Sequence, residues 1–480
     1  MSNLILTAGV ARIDITPPVG FRMQGAMRRI EGSTGIESPL LATALVLADE
    51  QTKVVILDCD LIGLDLALAG EIRQAIGERV GTLSSHVMVG CTHTHNGPCT
   101  SRYNLGGTHD VAAEPGQIEA LDTYLENLVR QLAGIASVAD GQRRPVRVAA
   151  GCSEANVAVN REEINHDGRV LVGRNPDGVT DHSVDVLRVD DLEGNAVAVI
   201  VAYAAHPVVM GYHTYLLSPD YPGVVRRIVE QATNATCLFL TGAAGNQAAR
   251  SFLQDDWGEK ERMGGQIGAA ALKAFYEIES RPYKEVRELG KSLSNIALYH
   301  KEFHAGPTHH IFKVAAGTAK VLLQPLPGMA ELEAQLADAE VTLARLEAEG
   351  ASTVLTVPQQ IVIRWTRGVL EKVKSGITQE TLSYPLVGYR IDDFVLLGMP
   401  GELFVEIQIR TKQRSKAKHT MFAGYANGIL GYIPTAETVH QGGMSVSSAV
   451  RTYNISAPPV ASSVDDVVAA LGELLGELGL

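Results

Sequence analysis

Nowhere in this 480-residue chain do lysine and arginine gather into a run that could neutralise a phosphate backbone. The densest cluster, residues 410–418, reads as the polar end of a helix, and the formal net charge is −13. Nucleic acid is therefore not an expected partner. Also lacking is any apolar stretch near the ~20 residues a membrane helix needs, so no transmembrane segment is expected. Cysteine is scarce: Cys59, Cys91, Cys99, Cys152 and Cys237 are odd in number and contain no Cys-x-x-Cys pair. This speaks against a disulfide framework and a cysteine-rich zinc site, and it fits a reducing compartment. The opening Met1-Ser2-Asn3-Leu4-Ile5-Leu6 has neither the basic flank nor the long apolar run of a signal peptide, so the expected location is cytoplasmic.

What is present is ordinary globular usage, with 46% hydrophobic and 20% charged residues, enough for a substantial core. Strand-like and helix-like patterns alternate through the first 280 or so residues. Strands are expected at 45–49 and 54–60 around a polar turn, then at 86–93, 184–189, 196–204 and 236–241. Helices are expected at 64–79, 118–139, 222–232 and 260–278, the third with Pro222 in its first turn. The fold class read from this order is α/β, mixed sheets covered by helices. Residues 324–375 differ: Leu332, Leu336, Leu343 and Leu346 share one helical stripe, and a second helix is expected at 359–374. They are expected to form an inserted helical hairpin on a main domain made of residues 1–323 and 376–480, as a structural insertion first and otherwise as a lid or a homo-oligomer contact. A strand at 394–397, a helix from about Glu402 and a final amphipathic helix capped by Ser463 complete the expectation.

The strongest local signal is Cys91-Thr92-His93-Thr94-His95-Asn96-Gly97-Pro98. Read as the end of a strand, it projects His93 and His95 to one side, where two imidazoles suit a transition metal or a metal ligand beside a proton-transfer group. His206 ends a very apolar strand. Asp58 and Asp60 end another and call for partners. Asp220 precedes a helix, as an N-cap or as a carboxylate near a metal. Glu402 lies in a Gly-Pro-rich loop and Tyr432 in a glycine-rich one. His300, His304, His309 and His310 have no metal-site spacing and read as a solvated or sheet-edge segment.

Taken together, these segments resemble the neutral/alkaline non-lysosomal ceramidase family over about residues 7–445. Five stretches carry the likeness: residues 9–18 with Asp14-Ile15-Thr16-Pro17-Pro18, then 92–98, Val159-Asn160-Arg161, the approach to His206, and Pro400-Gly401-Glu402 followed by Gly431-Tyr432-Ile433-Pro434-Thr435. The resemblance implies a zinc ion (Zn2+) held by His93, His206, Glu402 and Tyr432, with His95, Arg161 and Tyr432 in catalysis and Asn96 and Asn246 near the substrate. It implies hydrolysis of an amide bond in a small or N-acylated substrate. Two features depart from the family. Its serine-bearing loop corresponds to Gly242-Ala243-Ala244-Gly245-Asn246-Gln247, with Gly245 at the serine position, which points to attack by a metal-activated water. No stretch after Ser447 is long enough for the family's immunoglobulin-like domain. The competing expectations are a binuclear hydrolase of ester, lactone or phosphoester bonds, drawing on Asp60, His95 and Asp220 for further ligands, and a non-catalytic ligand-binding homologue.

Overall fold

The computed structural model describes residues 5–26, 29, 31–101, 115–291, 293 and 295–480. Its centre is an eight-stranded sheet. From edge to edge the strands are Thr236–Thr241, Ala196–Tyr203, Ser183–Asp191, Arg144–Glu154, Thr7–Asp14, Leu41–Ala48, Lys53–Cys59 and Val87–Cys91. A second, four-stranded sheet runs Phe312–Leu322, Thr381–Ile391, Phe394–Gly398, His419–Ala423.

Side-chain alternation explains how the two sheets stack. In Lys53–Cys59, Val54 and Ile56 enter a core shared with Leu240 of the same sheet and with Val387 and Leu396 of the smaller sheet. Val55, Leu57 and Cys59 point the other way, onto the helices Leu66–Val80 and Pro115–Gly141. At the far end of the same sheet, Val199 and Val201 meet the helices Tyr221–Thr233 and Trp257–Glu277. The outer face of the smaller sheet is covered by Val405–Arg414 and Ser463–Glu477. The result is four layers, helix–sheet–sheet–helix. Strands buried on both faces need the near-continuous apolar runs seen in the sequence, and each fully buried Leu, Ile or Val adds roughly 1.5–3 kcal/mol.

Three strand–helix–strand units have parallel strands. Lys53–Cys59 pairs Val87–Cys91, Ala196–Tyr203 pairs Thr236–Thr241, and Phe394–Gly398 pairs His419–Ala423. The loops leaving their carboxyl ends carry His93, His206, Gly245, Glu402 and Tyr425. Open α/β sheets place their sites at such ends.

Helices Met329–Ala348 and Thr353–Lys374 are inserted between two strands, Phe312–Leu322 and Thr381–Ile391, that pair along their full length. The second helix starts earlier than the sequence pattern suggests and keeps Pro358 in its second turn, forgoing one backbone bond. Two local expectations change. Glu402 lies in a two-residue strand paired with Tyr432, and the helix begins at Val405. Ser463 does not cap the last helix; it is inside the helix, and its hydroxyl donates to the Val460 carbonyl. All five cysteines are free. No helix of the described residues is long and apolar enough to cross a membrane.

Candidate metal centre

The strand Val87–Cys91 stops two residues before His93, whose backbone turns left-handed at φ 65°. His93 and His95 therefore meet through a tight loop, not by strand alternation. A non-glycine residue in this region is uncommon and needs support. The support is local: the His93 amide donates to the Leu61 carbonyl at 2.9 Å, and its Nδ1 lies 2.6 Å from the Ile62 carbonyl. His206 is held in the same way, with Nδ1 2.6 Å from the Ala244 carbonyl, and His95 Nδ1 lies 2.9 Å from the Gly25 carbonyl. Gly25 sits at φ 104°, and a side chain there would come within 2.8 Å of the His95 ring.

A carbonyl can only accept, so each Nδ1 carries a proton and donates. A neutral imidazole has one ring proton, which leaves each Nε2 a bare lone pair. The three Nε2 atoms face each other: His93 to His206 is 3.0 Å and His95 to His93 is 3.3 Å. Neutrality is enforced by burial, which pushes the His93 pKa down to about 3 and lowers His95 and His206 as well. Glu402 Oε2 joins them, 3.0 Å from His206 Nε2 and 3.6 Å from His93 Nε2. Burial opposes its charge, yet the carboxyl is held below its usual range, with the Arg161 guanidinium 3.9 Å away as the permanent positive charge beside it. Converging lone pairs and a carboxylate in a buried site are a donor set suited to a metal ion. Among the described residues His93, His95 and His206 form the one histidine, cysteine or carboxylate group compact enough to hold an ion.

Around this point lie three tyrosines and one arginine. Arg161 donates through Nε and Nη2 to the Gly245 carbonyl at 3.0 and 2.7 Å, and through Nη2 to the Tyr432 hydroxyl at 2.9 Å. Burial works against the guanidinium charge, but Tyr432 and Glu402 outweigh it and raise the pKa. Tyr425 stacks on His93 with centroids 4.0 Å apart and reaches Glu402 Oε2 at 3.5 Å. Tyr453 donates to Glu402 Oε1. Neither Tyr425 nor Tyr453 stands out in the sequence; no local motif marks them. A cavity of about 210 Å³ opens onto His95, Arg161, Glu402, Tyr432 and Tyr453, with Ile62, Ile429 and Met444 as its apolar wall.

The remaining candidates lie elsewhere. Asn96 and Asn246 do not line this cavity. The Asn96 amide oxygen accepts from Arg29, and Asn246 braces Val405 and Glu406 at the head of a helix. Asp60 is paired with Arg226. Asp220 caps its helix, accepting from the Tyr221 amide at 2.6 Å and the Met210 amide at 3.0 Å. Neither carboxylate faces the imidazoles, so of the three further ligands expected for a binuclear site only His95 is at this centre. His300 pairs with Glu288 and Glu302, and His309, buried, pairs with Asp49, so these histidines are spoken for by separate carboxylates.

Fold and site together define an α/β protein with a buried imidazole–carboxylate cluster compact enough for a metal ion. The family model "Neutral/alkaline non-lysosomal ceramidase, N-terminal" matches residues 6–254, and the chain belongs to that family. Among curated relatives, the neutral ceramidase of Pseudomonas aeruginosa is 24% identical over 74% of this chain and 54% of its own length. Neutral ceramidase A of Dictyostelium discoideum is 28% identical over 47% of this chain and 32% of its own. The chain thus spans about half or less of the length of these relatives. The solved structure of the Pseudomonas aeruginosa neutral ceramidase shares the fold, with a TM-score of 0.64 at 17% identity over 99% of this chain and 74% of that one.

Proposed function

We propose that this chain is a zinc-dependent hydrolase that cleaves the amide C–N bond of a small, N-acylated substrate. The carrying observation is the convergence of three bare imidazole nitrogens and one carboxylate oxygen on one point. Tetrahedral ligands at Zn–N distances of about 2.0–2.1 Å stand roughly 3.3 Å apart, and the His93–His206, His206–Glu402 and His93–Glu402 spacings of 3.0, 3.0 and 3.6 Å bracket that value. In this reading His93, His206 and Glu402 hold the ion and the Tyr432 hydroxyl completes the set. When bound, zinc polarises a carbonyl and acidifies water.

The chain supplies the rest. Arg161, fixed on the Gly245 carbonyl, brings a positive charge to the cavity where a carbonyl oxygen gains charge during attack. His95 carries a lone pair at the cavity wall and takes a proton there to pass to the departing amine. Ile62, Ile429 and Met444 restrict water. No hydroxyl can replace these groups at Gly245, because a Cβ there would come within 2.4 Å of the Glu402 carbonyl. The amide bond class follows from the relatives, which are neutral ceramidases. The small size follows the cavity, about 210 Å³ against the ~300–1,000 Å³ of drug-sized pockets.

The test is metal analysis joined to a panel of N-acyl amino acids, simple amides and lactams, assayed with and without chelator. About one zinc per chain is expected, together with amide turnover that chelation removes and zinc restores. Undiminished turnover after complete metal removal would sink the reading. Bound zinc with no turnover would favour a ligand-binding homologue, and about two ions per chain a binuclear hydrolase.

A further inference from the structure

Glu402 has two oxygens, and the structure treats them differently. Oε2 faces the imidazoles of His206 and His93 at 3.0 and 3.6 Å. Oε1 points away from them and accepts the hydroxyl of Tyr453. A carboxylate free to rotate could present either oxygen, or both, to an ion. One with Oε1 tied presents a single oxygen.

The seat of Tyr453 is itself built. Its ring stands edge-on to Tyr432 with centroids 6.1 Å apart. Gly431, at φ 76°, leaves the space it needs: a side chain there would meet Ile455 at 2.6 Å and the Tyr453 ring at 3.4 Å. The inserted helical hairpin grips the chain just beyond. Trp365 donates its indole N–H to the Ile455 carbonyl at 2.6 Å, and Leu332, Val369 and Leu370 pack with Val450 and Ile455. The short helix Ser448–Thr452 that leads into Tyr453 also walls the cavity through Ala449 and Thr452.

We infer that Tyr453 is a positioning residue that fixes Glu402 so that Oε2 alone faces the ion, and that the helical hairpin holds Tyr453 in place through Trp365 and Ile455. This rests on the reading of the site as a zinc centre. Groups that orient a metal ligand in this way usually govern affinity by about 10–100-fold.

The experiment measures zinc affinity by competition with a chromophoric chelator, and the visible spectrum of the cobalt(II)-loaded protein, for wild type, Tyr453→Phe, Tyr453→Ala and Trp365→Phe. Tyr453→Phe keeps the ring and loses only the hydroxyl. It should bind zinc about 10–100-fold more weakly and shift the cobalt spectrum, as should Tyr453→Ala. Trp365→Phe, which touches neither Glu402 nor the imidazoles, should weaken zinc in the same direction by a smaller factor, and it keeps the inference testable if the Tyr453 variants fail to fold. Wild-type affinity and an unchanged cobalt spectrum in Tyr453→Phe, with only the Ala variant impaired, would reduce the residue to packing and overturn the inference. A wild type that binds no zinc would instead overturn the function proposed above.

Discussion

Two buried polar clusters sit at the carboxyl end of the large sheet, and they are built to opposite plans. In one, Asp58 and Asp60 leave the strand Lys53–Cys59 and close on Arg226, with Asp58 2.9 Å from the guanidinium. The amides of Phe239 and Leu41 each donate to one of these carboxylates at 2.8 Å. This cluster contains its own cation. In the other, His93, His95, His206 and Glu402 turn lone pairs and a charge toward one point, and Arg161 lies 3.9 Å from Glu402, already committed to Gly245 and Tyr432. The difference separates a brace from a site. A buried charge closed by its counter-charge serves the fold, whereas converging donors without a resident cation invite one from outside.

The largest effect should come from breaking the open cluster. His206→Ala removes one of the facing nitrogens, and the purified variant is expected to lose both bound zinc and turnover. His95→Ala is expected to separate the two, retaining zinc while the rate falls about 10²–10⁴-fold, as for loss of a proton-transfer group. Elemental analysis beside the amide assay checks both. Loss of zinc from His95→Ala would make His95 a ligand and leave Tyr432 outside the ion's shell.

Breaking the closed cluster should do the reverse. Arg226→Ala strands two carboxylates that are 0% exposed, a defect worth about 3–5 kcal/mol of stability. Urea unfolding should register that loss, while zinc content per folded chain stays at the wild-type value. A variant that kept its stability but lost zinc would mean that the Asp58–Asp60 pair belongs to the ion centre, and the comparison would collapse.

The sequence exposes the open cluster better than the closed one. His93, His95 and His206 follow apolar strands, and in a parallel unit the carboxyl end is where a polar residue can be functional. Asp58 and Asp60 are equally visible as carboxylates in need of a partner, but Arg226 is 168 residues from Asp58, on a helix whose approach only the folded sheet defines. The left-handed turn at His93 is hidden for a related reason: it depends on the Leu61 and Ile62 carbonyls of a neighbouring loop. The stacking of two sheets is invisible because a strand buried on both faces reads the same whether helices or a second sheet cover it. Tyr425 and Tyr453 carry no local signature, since their hydroxyls matter only through Glu402.

The smallest effect tests the comparison by acid. In the ion-free protein the His93 pKa is depressed to about 3, whereas an unfolded histidine titrates near ~6.5. Between those values the unfolded chain binds the extra proton, so this group's contribution to stability is full above pH ~6.5 and is lost as pH falls, by about 1.4 kcal/mol per pH unit. His95 and His206 are shifted the same way. Asp58 runs opposite: burial and its neighbour Asp60 push it up to about 6 despite Arg226, so the folded state takes its proton first and this term gains stability as pH falls from about 6 toward the ordinary carboxylate value of 3.8. Asp220, raised to about 6 by burial, runs with Asp58. From pH 6.5 to 5 the urea stability of chelator-treated wild type should therefore fall, relative to that of His93→Gln, by about 1.4 kcal/mol per pH unit. Parallel curves for the two proteins would mean that His93 titrates normally and that its ring is open to water, contrary to the buried lone pair on which the site is built.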